Sequence, residues 1–208
     1  AVSRAAGAVV YEVRRQFTDK PGIMDGSERP EYGRVVDICT RDSLRELATP
    51  GLLAVLAPIS VGFGLGVGPL AGYLAGAIAA GTLMAIFLAN SGGAWDNSKK
   101  LVEDGYHGGK NSEAHEATVI GDTVGDPFKD TAGPAINPLL KVMNLVSVLI
   151  APAVVTFSVG SASPAVRYGI AIVAALVIVA AVVMSKRRST AIADTPADDH
   201  GKVANGAV

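Results

Sequence analysis

Forty-nine consecutive residues, 47 to 95, contain no Asp, Glu, Lys, Arg or His. The outer face of a soluble fold needs charge far more often than that. Two further runs repeat the pattern: 25 uncharged residues separate Lys141 from Arg167, and 18 separate Arg167 from Lys186. About 20 apolar residues carry a helix across the hydrocarbon core of a bilayer. The first run is long enough for two crossings, broken near Gly66-Val67-Gly68-Pro69. The others supply one crossing each, over 142–160 and 165–184. The expected fold class is therefore all-α, a polytopic transmembrane bundle of four spans extended into the cytoplasm.

Composition excludes other classes. A net charge of −1 argues against a nucleic-acid binder, and a single cysteine excludes a disulfide framework. Half the residues are hydrophobic, which excludes wholesale disorder. Arg41, Arg45, Lys99, Lys100, Lys129, Lys141, Lys186, Arg187 and Arg188 flank the spans on one side, whereas the turns near Gly66 and Gly160 carry no charge. The positive-inside rule then places the long polar segments in the cytoplasm, giving a multi-pass protein of the cell membrane in a lipid bilayer.

Along the chain, residues 1–47 read as cytoplasmic helix ends with a loop at Pro21-Gly22. Residues 48–104 read as a transmembrane hairpin, 105–112 as a cytoplasmic loop, and 113–160 as an Asp-rich helix entering the membrane. Residues 161–188 read as one last spanning helix and 189–208 as a disordered tail. The helix-like pattern already present at Ala1 suggests a piece of something longer. Val35, Val36, Ile38, Cys39, Leu44 and Leu47 form an apolar stripe, on which Cys39 is expected to be buried and inert. Gly72-x-x-x-Gly76 permits close helix approach, within the chain or between two copies.

Residues 96–141 hold eight of the 19 acidic groups and five of the 18 Lys and Arg residues. In a continuing helix, Asp96, Lys99, Lys100 and Glu103 share one face. Ser112 is a suitable N-cap for the next helix. There Asp122, Asp126 and Asp130 recur every fourth residue, with Lys129 beside them. Three carboxylates in a row repel one another, and the pattern makes sense where a hard divalent cation such as Mg²⁺ sits among them. Lys99 or Lys100 with Lys129 would then converge on a polyanion. A solvated, charge-rich helix end is the plain alternative. No GxxxxGK[ST] is present, so a P-loop is not supported. His107 and His115 read as loop and helix-start residues, and Trp95 as an interfacial anchor. Lys141 lies 19 residues beyond Asp122, about 28 Å along a helix, close to a membrane's thickness. It either marks an ion path or snorkels to the interface.

Two blocks, Gly92-Gly-Ala-Trp-Asp96-Asn-x-Lys99-Lys100 and Gly121-Asp122-Thr-Val-Gly-Asp126-Pro-Phe-Lys129-Asp130-Thr-x-Gly-Pro, resemble the membrane-integral pyrophosphatases. These are pyrophosphate-energised proton or sodium pumps. Pro21-Gly-Ile-Met and Pro50-Gly-Leu-Leu are similar too, so the resemblance covers roughly residues 1–160. It implies the C-terminal part of a homodimeric pump that hydrolyses Mg-pyrophosphate at the cytoplasmic helix ends. Asp96, Asp122 and Asp126 then resemble metal-site carboxylates, and Lys99 and Lys129 pyrophosphate-binding lysines. Asp130 resembles an aspartate that activates the attacking water, and Lys141 a lysine of the ion gate. The extra last helix resembles that of bacterial proton-pumping members. The family's remaining N-terminal helices are absent from these residues, as are the residues that decide a K⁺ requirement. The piece alone is therefore expected to be inactive. The rival class is a Mg²⁺ transporter or sensor without hydrolysis, which leaves the lysines unexplained.

Overall fold

The computed structural model describes residues 2–160 and 163–187, and every regular element among them is helical. The expected tail, 189–208, lies outside the described residues, as does Arg188. The elements are α1 (Val2–Asp19), α2 (Tyr32–Leu65), α3 (Val67–Glu103), α4 (Glu113–Asp126), a turn of π-helix (Pro127–Ala132), α5 (Gly133–Val159) and α6 (Pro164–Arg187). Four helical stretches are long and apolar enough to cross a membrane: α2, α3, the continuous run Glu113–Val159, and α6. These are the four expected spans. Pro50 and Pro58 lie inside α2, and Pro138 and Pro152 inside α5. Each removes one backbone donor, which spanning helices tolerate where neighbours re-satisfy the freed carbonyl.

The chain forms two compact units, divided within α2 at Arg45 and Glu46. In the first, α1 meets the segment leading into α2 through a polar network. Buried Glu12 accepts from Arg15 Nη2 at 2.8 Å and Gln16 Nε2 at 2.8 Å, and pairs with Arg34 at 3.2 Å. Gln16 also exchanges hydrogen bonds with the backbone of Glu31. The Arg15 guanidinium, hydrogen-bonded to Glu12, is the main reason this carboxyl titrates at about 2; burial opposes the shift. Cys39 is a correction to the sequence reading: it is exposed, as are Val36, Leu44 and Leu47. Their face of α2 is left open by the described residues, so the stripe is real but uncovered.

In the second unit, α2 and α3 are joined by Gly66 alone, at φ +103° and ψ −176°. Only glycine adopts that backbone without strain. Phe63 of α2, Val154 of α5 and Ala171 of α6 form a small apolar core with Ile59, Ile150 and Phe157. Arg167 of α6 donates to the carbonyls of Phe63 at 2.7 Å and Gly64 at 3.3 Å. A cation at a helix C-terminus satisfies orphan carbonyls and complements the dipole. Gly72 and Gly76 have nothing within 4 Å of where a Cβ would stand. Among the described residues that face has no partner within this distance.

Helix α3 runs antiparallel to α4 and α5, and their contact is set by missing side chains. A Cβ on Gly81 would lie 2.8 Å from Leu140, one on Gly133 3.3 Å from the Ala85 carbonyl, and one on Gly92 2.5 Å from the Gly125 carbonyl. Gly121 receives the ring of Trp95. Backbone meets backbone at Gly92 with Gly125 and at Gly133, and a side chain fills the space at Gly81 and Gly121, as small residues permit.

Candidate functional site

The 37 residues of α3 extend about 55 Å, well past a hydrocarbon core of about 30 Å. Its charged end, Asp96 to Glu103, therefore projects beyond the apolar run, alongside α4. The close crossing at Gly92 and Gly125 brings the facing side chains into direct contact. Lys99 Nζ donates to Asp122 Oδ2 at 2.8 Å, and Lys129 Nζ donates to Asp96 Oδ2 at 2.9 Å. Lys100 pairs with the other oxygen of Asp96 at 3.1 Å. Lys129 also lies 3.3 Å from Asp126 and 3.7 Å from Asp130. One lysine thus faces three carboxylates on two helices.

These groups lie past the apolar runs, and the pairing sets their titration. Lys129, then Lys100, holds the Asp96 carboxyl below its ordinary range. The hydrogen bond to Asp122 raises Lys99, and the one to Asp96 is the largest influence raising Lys129. A lowered acid and a raised base leave the Asp96–Lys129 pair ionised throughout neutral pH.

The carboxylate row departs from the sequence expectation. Asp122 is buried, whereas the Asp126 side chain is about half exposed (49%) and that of Asp130 more so (63%). The reason is local. Pro127 has no N–H to give, and the chain passes through a turn of π-helix before Gly133 N–H bonds the Phe128 carbonyl five residues back. Asp130 lies within this turn, exposed, with Lys129 Nζ 3.7 Å away. Among the described residues no three acidic, His or Cys side chains converge into a metal site. Asp122 Oδ1 is nonetheless buried without a hydrogen-bond partner. A buried, unpaired carboxylate oxygen is costly unless a cation or donor reaches it. The hard oxygen donors suit Mg²⁺, and Asp122 has a free one, but this segment offers part of a coordination shell and not a closed one.

The loop between α3 and α4 is fixed by chemistry of its own. Ser112 caps α4, accepting from His115 N–H at 3.1 Å, as its position suggested. Asn111 N–H donates to His115 Nδ1 at 3.2 Å, which assigns the ring proton to Nε2, 3.2 Å from Glu103. Trp95 packs on Gly121 and so acts as a spacer between helices, a role its sequence setting did not reveal. The glycines at 92, 121, 125 and 133 are the functional positions that sequence reasoning undervalued. Their only signal was recurrence at spacings of four or more on the two helices that carry the charges.

Lys141 is far from this cluster. Its neighbour Leu140 meets Gly81, which precedes Asp96 by 15 residues, about 22 Å of helix. It therefore lies at the depth of the charge-free part of α3, exposed on this segment. No ion pair to it occurs among the described residues.

Four apolar spanning helices, with a paired lysine–carboxylate cluster at the ends of two of them, define a multi-pass membrane protein with a polar site beyond the apolar core. The chain belongs to the inorganic H⁺ pyrophosphatase family, whose profile matches residues 1–150. It is 74% identical, over its whole length, to the K⁺-insensitive pyrophosphate-energized proton pump of Streptomyces coelicolor, and covers 26% of that protein. It is 77% identical over 93% of its length to the pump of the same name from Streptomyces avermitilis, covering 24% of it. The corresponding Methanosarcina mazei pump is 59% identical over 74% of the chain, which covers 23% of that protein. The chain thus spans about a quarter of the length of these relatives.

Proposed function

We propose that this chain supplies the C-terminal part of a homodimeric pump that hydrolyses Mg-pyrophosphate at the cytoplasmic face and couples this to proton transport. The observation that carries the reading is the cross-helix pairing of Lys99 with Asp122 and of Lys129 with Asp96. A cation carrier needs carboxylates alone, whereas a site for a metal-bound polyanion needs both signs within reach. The names of the two Streptomyces relatives, at 74% and 77% identity, support protons and K⁺ insensitivity, whereas two relatives at 52% identity carry names of K⁺-stimulated sodium pumps.

Asp96, Asp122 and Asp126 would hold Mg²⁺ together with donors from the remainder of the protein. Mg²⁺, when bound, neutralises phosphate oxygens and polarises the phosphorus they surround. Lys99 and Lys129 would turn from their carboxylates to phosphate oxygens. Asp130 would orient a water and accept its proton as the water oxygen bonds to phosphorus and the bridging P–O bond breaks. Two phosphates leave. Lys141, deep on the same continuous helix, would respond to the altered charge above it as part of the ion gate.

The test replaces the matching segment of the Streptomyces coelicolor pump with this chain. The graft should release phosphate from Mg-pyrophosphate and acidify inverted membrane vesicles. Asp126→Asn should abolish phosphate release, and Lys141→Ala should reduce acidification more than Mg²⁺ binding. A folded graft without hydrolysis, beside an active parent, would refute the reading.

A further inference from the structure

We propose that the wide turn Pro127–Ala132 is a positioning element that sets the rotational register between the charged site and Lys141. It deepens the pump reading and rests on it. A π turn holds one residue more than an α turn. Everything C-terminal to it is therefore offset by one residue, about 100° and 1.5 Å relative to an unbroken α-helix. The Asp122–Asp126 site lies on one side of that offset, and Lys141 on the other.

Three observations make the turn more than an irregularity. It is pinned at both ends: Gly125 lies against Gly92, and Gly133 against the backbone of Ala85 and Ala89, so α3 serves as a straight splint. Between the pins, Pro127, Phe128, Asp130 and Thr131 are exposed among the described residues, so no packing within this segment fixes the width of the turn. Lys129 reaches from it to α3, where it holds Asp96, and also faces Asp126 and Asp130. Its pairing is what a polyanion at the site would alter. π turns are rare, cost backbone hydrogen-bond quality and occur often at functional positions. Pro127 is the positioning residue here: it opens the turn, withholds an N–H from the carbonyl four residues back and crowds that carbonyl with its ring, which favours the wider turn where the glycine pins allow it.

The experiment uses the grafted full-length pump in inverted vesicles and reads protons transported per phosphate released. Pro127→Ala permits the turn to tighten. Deleting Thr131 forces it to lose a residue. Both should lower the coupling ratio by about fivefold or more, as expected when the linkage between two sites is lost. Adding one alanine between Ala135 and Ile136 to the Thr131 deletion restores the phase of Lys141 and should recover most of the ratio. Adding it instead between Asn144 and Leu145 leaves Lys141 out of phase and should not. A merely structural turn would lower hydrolysis and transport together and leave the ratio unchanged. An unchanged ratio in Pro127→Ala overturns the proposal, even where the deletions fail to assemble. Equal rescue by both insertions overturns it as well. If the unmodified graft does not hydrolyse pyrophosphate, the pump reading fails first, and this inference falls with it.

Discussion

Glu12 illustrates how much one residue organises in the first unit. Its carboxylate is buried, yet two arginines and a glutamine satisfy it. Its pKa is lowered from 4.5 to about 2, so its contribution to stability is complete above about 4.5 and is lost as the pH falls towards 2. A carboxyl NMR titration should place the Glu12 midpoint near 2; an ordinary glutamate midpoint would disprove the buried network. Glu12→Gln removes the charge-assisted bonds and should destabilise the α1–α2 connection by roughly 1–3 kcal/mol, seen as faster trypsin cleavage after Arg15 or Arg34, which Glu12 holds in place. At the site the same logic runs across two helices. The types and spacing of Asp96, Lys99, Asp122 and Lys129 were legible from the sequence. Which lysine meets which carboxylate was not, because that depends on how far α3 is displaced along α4.

At the scale of the element, the α3–α4–α5 contact is made by glycines that admit no methyl group. Gly92→Ala would press a Cβ into the Gly125 carbonyl and should cost about 2 kcal/mol or more, measured as a lower melting temperature of the grafted pump. Gly93→Ala, one residue on, meets nothing within 4 Å among the described residues and gains helix propensity, so it should be neutral or stabilising in the isolated chain. Equal effects of the two changes there would show that close backbone approach does not hold this interface together. The helices themselves were readable from charge-free runs, from Ser112 as a cap and from Gly66 as a break. The π turn was not. Pro127 warned of an irregularity, but only the contacts of Gly125 and Gly133 with α3 decide that it is absorbed as a wide turn within a continuous helix.

For the whole molecule, an incomplete carboxylate set has a direct consequence. Among the described residues no three candidate ligands converge, so the isolated chain should release no more phosphate from Mg-pyrophosphate than its Asp126→Asn variant. Release above that control would mean that the segment contains a complete site. The open faces around Gly72, Gly76, Leu83 and Phe87 fit the same picture of a part that expects covering, by lipid or by further helices. What the sequence determined by itself was everything carried by local composition: four spanning helices, their breaks and caps, and a block of carboxylates and lysines beyond the membrane. Charge is so costly in hydrocarbon that its distribution along the chain dictates which segments cross. Tertiary structure alone decided the pairings of Lys99 and Lys129, the burial of Asp122 and the exposure of Asp130. Each depends on the relative displacement and rotation of two long helices, and those are set by a few close contacts at glycines whose partners lie 26 to 59 residues apart in the chain.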